Sequence, residues 1–350
     1  MKNIYLEGAS RMAGLIIDEA EKLRKSDGAV LVFPHKSVDG DCIGSSCAVA
    51  SVFRSLGANA WVCMPEKIPN NMSFLGVDDL LFYPPEDFLQ GDMLVNGKHY
   101  ETAFSVDCTE GHRMGGNGKI FEYYEDAYDI DHHEVTHLSD PLKWIEPKAS
   151  SACEMVFYVI SQIARIKGVE LSLLMDQRCA GCLMAGIVTD TGRFTYTNTR
   201  PETLETAGVL MEHGGDITKV CYNLFDMKTP EEFAISSAAC SSAMFYCNGR
   251  LAIVKVPQRM FKQYNAGSDD ISDVVSRLRD IGGVEFACVL RETENGTVRG
   301  NLRSKTEFDC SEFAERFGGG GHKRAAGFTV EGIDIDELCD QIIREASAFL

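Results

Sequence analysis

Hydrophobic positions in the first 200 residues switch repeatedly between a helical period and short unbroken runs. Residues 11–25 place apolar side chains at helical spacing and predict an amphipathic helix. The run Ala29–Phe33 (AVLVF) is short and wholly apolar, which suits a parallel strand buried on both faces. The segment from Asp41, DCIGSSCAVASVFRSLG, predicts a helix that stops at Gly57. Further short strands are expected at residues 60–64, 104–106 and 128–130. Ser151 and Glu154 have capping-box spacing and open a helix that runs to Ile166. Residues 183–189 form another apolar run, read as a strand that leads into a turn at Asp190. This alternation predicts an α/β fold with a doubly wound, mainly parallel sheet.

Near residue 215 the pattern changes. Gly214 and Gly215 end a helix, and residues 230–245 predict a connecting helix. From Leu251 a second set follows: a strand (LAIVKV), a helix, two strands, a helix, a glycine-rich run and a last helix. The expected organisation is a first domain over 1–215, a helical linker over 216–247, and a smaller α/β domain with a mixed sheet over 248–350. A chain of 350 residues is long enough for two cores.

Composition narrows the classes. No apolar stretch reaches the roughly 18 residues of a membrane helix, and the N-terminus carries no signal-peptide pattern. The cytoplasm is the expected compartment. The 13 cysteines are scattered and odd in number, so they read as reduced core thiols. The CxxC pair Cys179 and Cys182 reads as two buried positions on one helix. A net charge of −18 argues against coating long duplex nucleic acid. It leaves room for a small anionic substrate held locally.

The chemistry gathers at expected strand ends, where open α/β sheets bind ligands. AVLVF is followed by His35, Asp39 and Asp41, FSV by Asp107, YDI by Asp131-His132-His133, and MAGIVT by Asp190. Singly, a strand-end Asp is a turn or capping residue and a lone His a structural one. Together, four carboxylates at adjacent ends would repel one another unless protonated or joined by cations. Carboxylate with imidazole favours two divalent ions, Mn²⁺ ahead of Mg²⁺, Co²⁺ or Fe²⁺. No cysteine belongs to this expected set, which argues against structural zinc. His133 to His137 also spells H-E-x-x-H, but β-branched residues and a nearby Pro141 do not support the helix a zinc protease needs.

Gly318, Gly319, Gly320 and Gly321 precede His322, Lys323 and Arg324, with Arg303 and Lys305 upstream. Four glycines leave backbone N–H groups open to an anion, and the patch is basic in an acidic chain. No G-K-[ST] follows, so this is not a Walker loop. The expectation is phosphate or nucleotide binding.

These motifs resemble the DHH/DHHA1 phosphoesterases, and within them the bacterial oligoribonuclease (nanoRNase) and pAp phosphatase type. The resemblance spans almost the whole chain. It makes the first domain the DHH catalytic domain and the last the DHHA1 substrate-binding domain. It implies one metal on His35, Asp39 and Asp107 and another on Asp41, Asp107, His132 and Asp190, with Asp131 and His133 orienting ligands or leaving group. It implies substrate contacts from Arg303, His322 and Gly318–Gly321. Val38 stands where the family commonly has proline, which alters the turn and not the ligand count. The implied activity is two-metal hydrolysis of short oligoribonucleotides or pAp, acting on single-stranded RNA or small nucleotides, with no membrane and with a homodimer suggested. The alternatives are a phosphodiesterase for linear or cyclic dinucleotides and a catalytically silent nucleotide-binding module.

Overall fold

A computed structural model describes residues 5–124, 126–133 and 140–350, with the backbone alone for His322. The H-E-x-x-H residues Glu134 to His137 lie outside this range. The chain divides into two units, Met1–Met227 and Lys228–Leu350.

The first unit contains α1 (Leu6–Ser26), β1 (Ala29–Phe33), α2 (Gly40–Ser55), β2 (Asn59–Cys63), β3 (Leu81–Phe82), β4 (Leu94–Val95), β5 (Lys98–Val106), α3 (Gly118–Phe121), β6 (Tyr128–Asp131), β7 (Lys143–Ile145), α4 (Ala152–Lys167), α5 (Gln177–Asp190), α6 (Pro201–Glu212) and α7 (Ile217–Cys221). The sheet runs β3-β2-β1-β5-β6-β7 with parallel neighbours, and β4 pairs antiparallel with β5. Val30 and Val32 of β1 join the core built with α1, α2, α4 and α5. Leu31 and Phe33 point the other way, into a cluster with Met114, Ile120 and Phe121. Strand order reverses between β1 and β5, and such a reversal opens a crevice beyond the carboxyl ends.

One expectation is overturned. Residues 183–189 are not a strand but part of α5, whose N-cap Asp176 accepts the Cys179 N–H at 2.8 Å. An apolar run reads equally as buried helix or strand, and length decides only when the whole element is seen. Small residues let α5 lie tightly on α2. A Cβ on Gly44 would come 2.3 Å from the Cys182 carbonyl oxygen, and one on Gly186 would come 2.2 Å from Cys153 Sγ. Cys179 and Cys182 are both buried free thiols on this helix, as their spacing suggested.

The second unit contains α8 (Pro230–Ser241), β8 (Met244–Tyr246), β9 (Leu251–Val256), α9 (Gln258–Tyr264), α10 (Val274–Asp280), β10 (Phe286–Glu292), β11 (Val298–Ser304), α11 (Cys310–Glu315), β12 (Gly320–His322), β13 (Ala325–Val330) and α12 (Ile335–Ala346). Its sheet order is β12-β13-β11-β10-β9-β8, parallel only between β9 and β10. The mixed sheet beside a parallel one matches the fold class expected from the sequence. Ile235 and Ala239 of α8 pack with α9 and α10 against one face, and α11 and α12 cover the other.

The glycine run differs in detail from expectation. The Gly318 and Gly319 N–H groups donate to the Glu315 and Ala314 carbonyls, closing α11. They are not open to an anion. Gly320 and Gly321 pair with Gly327 and Ala326 across β12 and β13. Glycine is needed here for close approach: a Cβ on Gly319 would meet the Gly327 carbonyl at 2.2 Å.

Candidate metal centre

The carboxyl ends of β1, β5 and β6 with the residues that follow them, the first turn of α2 and the end of α5 bring eight side chains together. Asp107 is the centre. It follows β5 and is buried, with its N–H donating to Ile130 O at 3.0 Å. Its φ of 63° lies in the left-handed region, which Asp tolerates better than most residues. His35 Nε2 is 3.2 Å from Asp107 Oδ2, while His132 Nε2 and His133 Nδ1 are each 3.4 Å from Oδ1. His132 Nε2 is also 3.2 Å from Asp190 Oδ2 and 3.8 Å from Asp41 Oδ2. Asp39 Oδ2 lies 3.8 Å from His35 Nε2.

Local structure fixes each group. Asp39 caps α2 by accepting the Cys42 N–H at 2.9 Å. His35 Nδ1 lies 2.7 Å from Lys36 O, which leaves Nε2 facing Asp107. Asp131 Oδ1 accepts the His133 backbone N–H at 3.0 Å and its ring Nδ1 at 2.7 Å. Asp190 is the last residue of α5, delivered by a helix and not by a strand.

Charge is unevenly distributed. Burial pushes the Asp41 carboxyl well above the usual range, and the nearby Asp190 and Asp107 add to this. Asp190 is raised by burial too, opposed by His132. Asp39 is half-exposed but sits in a carboxylate-rich pocket, and desolvation with Asp107 and Asp190 raises it to about 6. Asp107 behaves oppositely. Burial would raise it, but the close imidazoles of His132 and His35 outweigh that and hold it well below the usual range. Burial works against a charged His35, yet Asp107 raises that imidazole to about 9.

The donor set fits divalent cations. Buried Asp131 Oδ2 has no hydrogen bond among the described residues, and the contacts of Asp107 Oδ1 and His132 Nε2 at 3.2 to 3.4 Å miss hydrogen-bond geometry, which is costly for polar atoms unless another partner binds them. Hard oxygens with a few imidazoles suit a divalent cation. Two of the compact donor groups are Asp107-His132-His133 and Asp41-His132-Asp190.

Sequence reasoning missed four participants. Both oxygens of Asp41 accept N–H groups from the start of α4: Ala152 N to Oδ2 at 2.7 Å and Cys153 N to Oδ1 at 2.8 Å. The Ser151–Glu154 pattern announced that helix start, but not what it points at. Moreover Glu154 bonds Ser150, not the Ser151 N–H of a full capping box. Asn198 Nδ2 donates to the Asp190 and Ser150 carbonyls at 3.0 Å each, tying the two segments together. Cys42 is the fourth: its thiol groups with His35 and Asp107. The thiol thus stands beside a set that was expected to hold no cysteine. Nothing in the sequence signalled it beyond adjacency to Asp41.

The remaining expected site residues lie in the second unit. Arg303 is on β11, paired with Ala325 of β13, and its Nη1 donates to Leu302 O at 2.9 Å. The His322 backbone also pairs with Ala325. Its side chain lies outside the described atoms.

Residues 29–187 match the family model for the DHH family N-terminal domain, and residues 248–348 match that for the DHHA1 domain. The chain is 29% identical over 329 residues to the bifunctional oligoribonuclease and PAP phosphatase NrnA of Thermus thermophilus, covering 93% of this chain and 91% of that one. It is 25% identical over 320 residues to the protein of the same name from Bacillus subtilis, covering 89% and 95%. An exopolyphosphatase-related protein from Bacteroides fragilis superposes with a TM-score of 0.83 at 22% identity, over 96% of this chain and 97% of its own, which speaks to fold alone. With a DHH domain followed by a DHHA1 domain, the chain belongs to the DHH/DHHA1 family of phosphoesterases.

Proposed function

We propose that this phosphoesterase hydrolyses short oligoribonucleotides and pAp, using two divalent cations, with Mn²⁺ the best match. The observation that carries the reading is the convergence of three imidazoles on the single buried carboxylate of Asp107. In this reading His35, Asp39 and Asp107 hold one cation, and Asp41, Asp107, His132 and Asp190 hold the other. Bound there, such a pair supplies Lewis-acid stabilisation of charge on phosphate oxygens.

The chain's own residues do the rest. The α4 N-terminus directs two N–H groups at Asp41, which orients the carboxylate and favours its ionised form. Asp131 holds His133 through Nδ1, so Nε2 is the atom that passes a proton to the leaving ester oxygen. Arg303 and His322 hold one nucleotide end in the DHHA1 domain. The names of the bacterial relatives support the substrate class.

The test is a rate comparison with Mn²⁺ over pAp, pApA, cyclic dinucleotides and 2–5-mer RNAs. Fastest turnover of pAp or the short RNAs supports the reading. Turnover confined to dinucleotides moves the substrate, and saturable binding without turnover makes the chain a nucleotide-binding module.

A further inference from the structure

We propose that the Cys42 thiol is an additional metal donor at the His35–Asp107 corner, and that through it this corner takes thiophilic divalent ions such as Zn²⁺, Co²⁺ and Cd²⁺. His35, Cys42 and Asp107 each present one buried donor atom, all within 4.8 Å of one another. A point enclosed by three atoms so spaced lies within about 2.8 Å of each, a small adjustment away from Zn–N and Zn–S bonds of about 2.0–2.3 Å. Cys42 sits in the first turn of α2, the turn that also carries Asp41 and is capped by Asp39. Its position is therefore fixed together with two of the carboxylates.

Among the described residues the thiol has a weak alternative partner, the His35 carbonyl at 3.8 Å. As the sulfur–metal bond forms, the thiol proton leaves to solvent and the thiolate donates an electron pair. No redox change is involved. Mn²⁺ and Mg²⁺ gain little from sulfur, whereas Zn²⁺, Co²⁺ and Cd²⁺ gain much. The same corner thus presents oxygen and nitrogen to hard ions and adds sulfur for softer ones.

The proposal rests on the reading that His35 and Asp107 hold a cation. Its test is Co²⁺ titration of the metal-free full-length chain, read by absorbance. Expected is a thiolate-to-cobalt charge-transfer band in the near ultraviolet, lost in Cys42→Ser and in His35→Ala. The band should persist in Cys153→Ser, whose thiol lies 3.6 Å from Asp41 O instead. Zn²⁺ affinity should fall at least about tenfold in Cys42→Ser, and Mn²⁺ affinity by less than about threefold. A band that survives Cys42→Ser overturns the proposal. So does Co²⁺ bound without the band, which leaves the metal centre standing. No Co²⁺ binding overturns both readings. Should Cys42→Ser fail to fold, ¹¹³Cd NMR of the unmodified chain decides. A resonance in the thiolate range supports sulfur ligation, and one in the oxygen and nitrogen range alone overturns it.

Discussion

At the scale of single residues, Asp107 combines two properties. It faces His35, His132 and His133 at 3.2 to 3.4 Å, and it keeps its negative charge although buried. Asparagine preserves its shape and tolerates the left-handed backbone, while removing the charge. Asp107→Asn should therefore fold normally by circular dichroism, bind Mn²⁺ far more weakly by calorimetry, and lose about 10³-fold or more in rate. Full activity would remove Asp107 from the site. Asp131 acts through a neighbour. Its carboxylate fixes the His133 ring, so Asp131→Asn should lower kcat by about 10–100-fold with little change in KM. A loss confined to KM would show that Asp131 serves binding instead. These carboxylates and imidazoles were readable because metal chemistry demands their residue types. Cys42 was not, because nothing distinguishes a thiol beneath a metal site from any other core cysteine until the α2 turn is built.

At the scale of elements, the contact of α2 with α5 governs the site. It places Asp41, at the start of one helix, beside Asp190, at the end of the other. A Cβ on Gly186 would lie 2.2 Å from Cys153 Sγ, 2.6 Å from Asp41 Oδ1 and 2.9 Å from Asp41 Cα, so one methyl group strikes the turn that carries Asp41. Gly186→Ala should cost about 1–3 kcal/mol in denaturant unfolding, since helix propensity offsets only part of the overpacking. It should also weaken Mn²⁺ binding, because relief of the clash displaces Asp41. Unchanged metal affinity would mean that Asp41 is not a ligand. The same contact explains the misread segment at residues 183–189. Hydrophobicity announces burial but not period when every position is apolar, and glycines that allow close helix packing also resemble strand and turn signals. Asp190 was singled out from an incorrect element and still meets His132, because a strand end and a helix end can both deliver a carboxylate to one rim.

At the scale of the whole molecule, each unit has its own core, and the second has an acid-sensitive fastening of its own. Its sheet order was visible only in outline. Strands were legible as apolar runs, but pairing between distant segments leaves no local mark, and α9 went unread. Glu285 was unread as well, although it precedes β10 and accepts the backbone N–H groups of Thr306, Glu307 and Phe308 at 2.8–3.0 Å and the Thr306 hydroxyl at 2.8 Å. Burial alone would raise this carboxyl, but those bonds hold it down to about 2, from an ordinary value of 4.5. A depressed carboxylate stabilises the fold fully above its unfolded value and loses that contribution as pH falls through the folded one. Glu285→Gln keeps the shape and removes the charge. The variant should be about 2–3 kcal/mol less stable than the unmodified chain at pH 7. That gap should hold down to about pH 5, narrow below pH 4.5 and nearly close by pH 2, where the unmodified carboxyl is itself half protonated. Denaturant unfolding of both chains across this range, followed by hydrogen exchange in β10, β11 and α11, reads the gap directly. A difference that does not change with pH would show that Glu285 acts through its shape and not its charge.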